Sequence, residues 1–477
     1  MKHIIAFSIS AAAALSAVAL DVNSTAGKLA EAVGSATDAP SLKVSGSVNA
    51  ADLMFIHYEM GALTSLDLSG ATIDEYDGEP LLNSVAYSPA GAIPPAAFLG
   101  MKLSSFAFPS NTASIGEGAF AATSLESVAV PAGVASIGNS AFADAPRLAS
   151  VILPSTVNRL GTGVFRGCSS IASATLSAPL AEIPAATFSG CSSLRSVAIP
   201  APVRVIGEKA FANSGLTSVT LNDIDSIAPW AFLGCAELGA VTFSGDLPRA
   251  IGQGAFFRDA NAEVGAAGLP GTLSEVAPHT FTGVKAVSGL GAAEASSIGE
   301  IGEYALAYTS VGESVYLPAE LRKVGDSAFA NWTGVRFIDA TDLSELPEIG
   351  DDIFGSLDKP NTTLYVAPAM LEAFKAAPQW KEFKIEAKTS GETGIDAPAT
   401  PETAEVTARF EGTLLRLTST FEITAVELYD LSGLRLAFIP AVASLDFTLD
   451  TAPFSSPAYI LRVHLGPTAV HLLKLAR

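Results

Sequence analysis

The chain predicts a repeat solenoid followed by a small all-β sandwich, and three observations carry that prediction. A hexapeptide of the form Ile-Gly-x-x-Ala-Phe recurs twelve times between residues 93 and 354, with successive copies 21 to 25 residues apart. A second element, Leu-x-x-Val-x-Val/Ile/Leu-Pro, lies between copies, as at residues 125–131, 148–154 and 194–200. Beyond residue 387 the hexapeptide stops, and short alternating apolar stretches take its place. A period kept over so many copies marks stacked units that share one core, because a single unit cannot bury its apolar side alone.

The copies begin with IPPAAF, ending at Phe98, and run through Phe120, Phe142, Phe165, Phe188, Phe211, Phe232, Phe256 and Phe281. They close with IGEYAL at Leu306, VGDSAF at Phe329 and IGDDIF at Phe354. In the second element apolar residues alternate with small ones, the period-two pattern of a strand with one buried face. Its proline lacks an N–H for the next ladder bond and ends the strand. Each unit of about 23 residues thus reads as one short strand, a turn, and a loop or single helical turn carrying Ala-Phe inward. At a strand separation of about 4.8 Å, a dozen units give a rod or arc of roughly 60 Å. The phenylalanines then form an aromatic column inside the coil, each contributing roughly 1.5–3 kcal/mol by burial.

Composition agrees. Of 477 residues, 27 are Lys or Arg and 48 are Asp or Glu, giving a formal net charge of 27 − 48 = −21. That balance repels phosphate backbones and anionic membrane surfaces, so nucleic acid is excluded as a partner. Charged residues make up only 16% and hydrophobic ones 49%, with a mean hydropathy of +0.39. No stretch after residue 20 matches the length of apolar run that a bilayer requires, so this excess belongs in a long core. The first 19 residues read as a secretory signal: Lys2, an apolar run from Ile4 to Val18, and a small-x-small site at Ala17-Val18-Ala19. Cleavage is expected after Ala19.

Three cysteines, Cys168, Cys191 and Cys235, follow Phe165, Phe188 and Phe232 by three residues each. Their shared register makes them one buried column of small side chains. An odd number cannot form a complete disulfide framework, although a Cys168–Cys191 bridge between neighbouring units is geometrically open.

A search for chemistry finds no HExxH, GxSxG, P-loop or cysteine–histidine metal spacing, so neither an enzyme nor a cofactor is expected. The histidines are scattered: His3 in the signal, then His57, His279, His464 and His471. Gly325-Asp326-Ser327 is explained by the hexapeptide that contains it. His279 occupies a variable hexapeptide position and reads as a loop residue. Asp351 and Asp352 supply too few oxygen ligands for calcium.

The outward strand positions offer the binding face. With Val128 and Val130 inward, Ser127 and Ala129 face out, and the same columns carry Ser150, Ser173, Thr175, Ser196, Ala198, Ser218, Thr220, Ala240 and Thr242. Such a face is flat and open, suited to an extended partner surface. Toward the C-terminal end the columns change to Tyr316, Phe337, Asp339 and Tyr365. Aromatic side chains on neighbouring units are usual anchors of interfaces. The alternative is that these rings pack beneath a C-terminal cap or the linker.

At the hexapeptide and the proline-terminated strand the chain resembles the BspA-like leucine-rich-repeat family of Bacteroidetes surface proteins, over residues 93 to about 383. Residues 41–73 resemble that family's N-terminal capping unit, and residues 363–386 its closing strand and cap helix. Caps are required physically, since a solenoid end exposes core and unpaired strand edge. Residues 388–403 have linker composition. Residues 426–436 (VELYDLSGLRL) read as a hairpin, and residues 458–477 as two further strands. This last module resembles the type IX secretion sorting domain, with an accessory β-sandwich as the other reading. The resulting divisions are a signal at 1–19, an N-terminal capping region at 20–80, the solenoid with its C-terminal cap at 81–387, a linker at 388–403 and a sandwich at 404–477. The resemblance implies a secreted or outer-surface adhesin. Its partners would be a host extracellular-matrix protein or another bacterial surface, and the secretion machinery through the C-terminal domain. The solenoid physics alone fits equally a structural stalk or surface-layer component without a specific ligand.

Overall fold

The computed structural model describes residues 19–81, 84–244, 248, 250–264, 273–287, 297–388, 406–411, 414–429, 435–451, 458–465 and 469–476. The expected signal lies outside them apart from Ala19, as does the expected linker apart from Lys388. The chain divides into two compact units, residues 1–387 and 388–477.

The first unit is a parallel β-solenoid. Its proline-terminated strands stack in register, with Val128–Ala129, Ser150–Leu153, Ser173–Leu176 and Ser196–Val197 forming one sheet. Burial alternates along them as the sequence pattern requires: Val151 and Leu153 are inward, Ser150 and Ile152 outward. A second parallel sheet was not expected. The residue before each hexapeptide and its first residue form a two-residue strand, as in Ser114–Ile115, Ser136–Ile137 and Arg159–Leu160. Two residues are too few to display an alternation, which is why the sequence shows one strand per unit and the structure two.

The hexapeptide that follows is a run of turns bonded to the next coil. The N–H groups of Ser140, Phe142 and Asp144 donate to the carbonyls of Thr162, Val164 and Arg166 at 2.8, 2.9 and 2.6 Å. Left-handed backbone recurs at two places per coil: the fourth hexapeptide residue (Ser140, φ 51°) and the second residue after the phenylalanine (Asp144, φ 55°). The glycine at the second hexapeptide position has a different cause. A Cβ on Gly138 would lie 2.5 Å from the backbone nitrogen of Glu117 in the preceding coil.

The interior is one continuous cluster of buried side chains running from Val22 to Phe383. The phenylalanines stack along it, with centroids 5.2, 5.7, 5.6 and 5.7 Å apart from Phe120 through Phe142, Phe165 and Phe188 to Phe211. Every ring of this series is fully buried. At the N-terminal end, strands Leu20–Ser24, Ser41–Val48 and Ser65–Ile73 extend the strand face, so the sheet starts one strand before residue 41. Helix Ala50–Glu59 connects the latter two, with Asn49 as its cap. The Asp52 carboxylate binds this corner together by accepting from the N–H groups of Gly27 at 2.6 Å, and Leu29 and Asn49 at 2.9 Å. At the other end helix Leu371–Ala376 and strand Lys384–Ala387 close the coil. There Trp380 and Phe383 meet Phe354 edge-on at 5.1 and 4.8 Å, ending the aromatic column.

The cysteine column is present and unoxidised. All three thiols are free and buried, and Cys168, Cys191 and Cys235 donate to the carbonyls of Phe142, Phe165 and Phe211 at 3.0, 3.2 and 3.1 Å. Burial pushes the Cys168 and Cys235 thiols up to about 12 and raises Cys191 likewise, so none ionises near neutral pH. Ser214 and Asp259 occupy the same register, three residues after Phe211 and Phe256. Asp259 is fully buried; its Oδ1 accepts from the Cys235 N–H at 2.7 Å, and its Oδ2 has no partner among the described residues. Burial raises its carboxyl to about 8.

The second unit is antiparallel. Strands Val406–Glu411, Leu414–Tyr429, Arg435–Asp450, Ala458–Leu465 and Ala469–Ala476 enclose a separate core that includes Leu417, Val426, Tyr459 and Val463. The expected hairpin pairs Leu414–Tyr429 with Arg435–Asp450, although its turn, residues 430–434, lies outside the described residues. These two strands are 16 residues long, not short. Their register shifts between Thr418 and Ile423. Residues 414–418 pair with the first strand of the unit and residues 423–429 with the fourth.

Two outcomes follow. Phe188→Ala is expected to cost about 3–5 kcal/mol through transfer and cavity terms, measured by urea or thermal melts; a loss below about 1 kcal/mol would contradict the column. Asp259 makes stability depend on pH. Below its ordinary value of 3.8 the folded and unfolded carboxyls are both protonated; between there and about 8 only the unfolded chain releases the proton. Stability is therefore full at low pH and lost as pH rises through the folded value. Asp259→Asn should melt higher than the parent at pH 8, and the difference should vanish near pH 4; parallel pH profiles would refute this.

Candidate binding surfaces

Two faces of the solenoid carry side chains that do not serve the core. On the strand face, the middle coils present small residues as expected. Ser173, Thr175, Ser196, Ser218, Thr220, Ala240 and Thr242 are all exposed, and Thr242 Oγ1 donates to Thr220 Oγ1 at 3.0 Å. Ile152 breaks the pattern: it stands in register between Ala129 and Thr175 and is 59% exposed. Parallel pairing at the C-terminal end places Tyr316 opposite Asp339, Asp339 opposite Tyr365, and Tyr365 opposite Glu386. Phe337 stands one column over, beside Ser314 and Thr363.

The four residues expected to form a patch therefore lie on three adjacent strands, and all four are half-buried. Phe337 and Tyr365 stack with centroids 6.1 Å apart and planes 13° off parallel. The Asp339 carboxylate accepts from the Thr341 N–H at 3.0 Å and its hydroxyl at 2.6 Å, which fixes its orientation. Ring–ring packing pre-orders the aromatic pair, lowering the entropy cost of using it in an interface.

The turn face carries a second set that the sequence reading passed over. Trp230 meets Phe257 edge-on at 5.9 Å, Phe257 meets His279 edge-on at 5.7 Å, and His279 stacks on Tyr304 at 5.4 Å. Each of these rings is half-buried. His279 stands in a turn, as the sequence suggests, and is part of an aromatic strip across four coils. Trp230, His279 and Tyr304 all occupy the fourth hexapeptide position, with φ of 60°, 58° and 51°. The intervening coil has Gly254 there, and its lack of a side chain makes the strip continuous: a Cβ on Gly254 would lie 2.0 Å from Cζ3 of Trp230. Phe257, from the same coil, fills the gap between Trp230 and His279. Reading the fourth hexapeptide position as a column would have found three of these four rings.

Among the described residues no group of three or more His, Cys, Asp or Glu side chains could hold a metal ion, and no helix is long and apolar enough to cross a membrane. Asp351 and Asp352 are exposed, and the Asp351 N–H donates to Asp326 Oδ1 at 2.8 Å.

Comparison with known proteins agrees with this architecture. A leucine-rich repeat protein from Bacteroides ovatus ATCC 8483 is similar in structure with a TM-score of 0.54, at 19% identity over 78% of this chain and 92% of that chain. A leucine-rich repeat protein of T. pallidum is 20% identical over 40% of this chain and 69% of its own, with a TM-score of 0.25. The pneumococcal vaccine antigen PcpA is 15% identical over 69% and 84%, with a TM-score of 0.33. No curated protein matches the chain significantly. The BspA-type leucine-rich repeat model matches in overlapping stretches at residues 91–214, 170–288 and 248–363, more than half of the chain. With two parallel sheets, a stacked phenylalanine core and that match, the chain belongs to the BspA-type leucine-rich repeat family.

Proposed function

We propose that the protein is an exported binding protein, adhesin-like, that presents the strand face of its solenoid to protein ligands at the outer cell surface. The observation that carries this reading is the change along that face. Small exposed side chains line the middle coils, and a pre-stacked Phe337–Tyr365 pair beside Tyr316 and Asp339 lies at the C-terminal end. A flat parallel sheet lets an extended partner approach without steric obstruction, and the half-exposed rings supply apolar anchoring area. Export rests on the signal-like first 19 residues, and surface delivery on the likeness of residues 404–477 to a type IX sorting domain. The absence of catalytic motifs in the sequence supports binding over catalysis.

Purified protein lacking the first 19 residues is expected to bind at least one host matrix or bacterial surface protein saturably. Tyr316→Ser combined with Tyr365→Ser should weaken that binding by tenfold or more, about 1.4 kcal/mol, without lowering the melting temperature by more than a few degrees. Surface plasmon resonance decides it: unchanged affinity in the double variant would remove the patch from the interface. Uniformly absent binding would favour a structural stalk.

A further inference from the structure

The Trp230–Phe257–His279–Tyr304 strip lies among hexapeptide turns, so it is separate from the strand face and independent of the function proposed for that face. Its composition selects a ligand chemistry. Arg258 already sits over the Phe257 ring, with its guanidinium carbon 5.0 Å from the centroid. The strip therefore holds a cation in the structure as it stands, by attraction to the negative face of the ring. From the Tyr304 coil onward, three consecutive coils carry the exposed carboxylates of Glu303, Asp326, Asp351 and Asp352. None of the four is ion-paired among the described residues. Apart from Arg258 the strip offers half-exposed rings followed by negative charge, on a chain whose net charge is −21.

We propose that this turn face binds a cationic segment of a partner protein. Arginine or lysine side chains of that segment seat on the Trp230–Tyr304 rings, and the carboxylates beyond them supply the charge complement. Charge complementarity sets the choice of occupant: an anionic polymer is repelled, and a neutral glycan would leave the four carboxylates without a counterpart.

The strip contains its own reporter. Of the three tryptophans only Trp230 is partly exposed, since Trp332 and Trp380 are 3% and 1% exposed. Titrating the full chain with a deca-arginine peptide should change the Trp230 fluorescence saturably, and deca-glutamate or cellohexaose should leave it unchanged. By calorimetry, Tyr304→Ser with Trp230→Ala should weaken deca-arginine binding about tenfold or more. Asp351→Asn with Asp352→Asn should also weaken it and flatten its salt dependence. Tyr316→Ser with Tyr365→Ser should leave it intact, so failure here and failure of the strand-face reading are told apart. Circular dichroism checks that each variant is folded. The proposal is overturned if deca-glutamate or cellohexaose binds as well as deca-arginine, or if the ring variant binds deca-arginine unchanged. It is also overturned if the fluorescence change follows self-association of the chain on ultracentrifugation, which would make a second copy the occupant.

Discussion

Successive coils are held at the separation of hydrogen-bonded strands, and this spacing governs the rest of the solenoid. It is set by ladders such as Gly116 N–H to Ile93 carbonyl and Gly138 N–H to Ile115 carbonyl, both 2.8 Å. At that separation the second hexapeptide position has no room for a side chain where glycine stands, since a Cβ on Gly116 would lie 2.5 Å from Pro95 N. The same spacing brings the phenylalanine rings to 5.1–5.9 Å between centroids from Phe98 to Phe281, within the range that aromatic pairs prefer. Glycine and phenylalanine therefore recur for one reason: the first lets the coils close, and the second fills the volume inside once they have.

Where the column is interrupted, neighbouring positions compensate. Leu306 replaces a ring between Phe281 and Phe329, leaving less volume in that coil. Trp332, in the register that holds cysteine elsewhere, packs against Phe329 at 4.6 Å and donates its indole N–H to the Leu306 carbonyl at 3.0 Å. Asp259 is the one carboxylic acid placed in that register, and it burdens the core with a group that resists ionisation. A solenoid tolerates such local departures because each coil answers only to its neighbours.

The repeat, the inward phenylalanines, the cysteine column and the outward strand columns were all legible in the sequence, because each repeats at a fixed offset from the hexapeptide. The second sheet was not, since strands such as Ser136–Ile137 are too short to alternate. The strand-face patch could be named because parallel pairing in register turns a sequence offset into a spatial column. The turn-face strip escaped that logic: Phe257 joins it from a different offset than Trp230, His279 and Tyr304, and only the room above Gly254 brings them together. Asp259 was open to inspection, standing where Cys235 stands one unit earlier, but a single charge in a buried register has no periodicity to announce it.

The left-handed residues restrict how the two faces can diverge. Among the described residues, the fourth hexapeptide position carries Ala96, Gly118, Ser140, Gly163, Ala186, Lys209, Trp230, Gly254, His279, Tyr304, Ser327 and Asp352. None of these side chains branches at Cβ, and a branched one is strongly disfavoured in that backbone conformation. Strand positions favour the opposite set, and there threonine and isoleucine are at home. One coil thus displays two vocabularies. Selection for new specificity at that turn position can recruit rings, amides and charges but not valine, isoleucine or threonine, whereas the strand side can recruit all three.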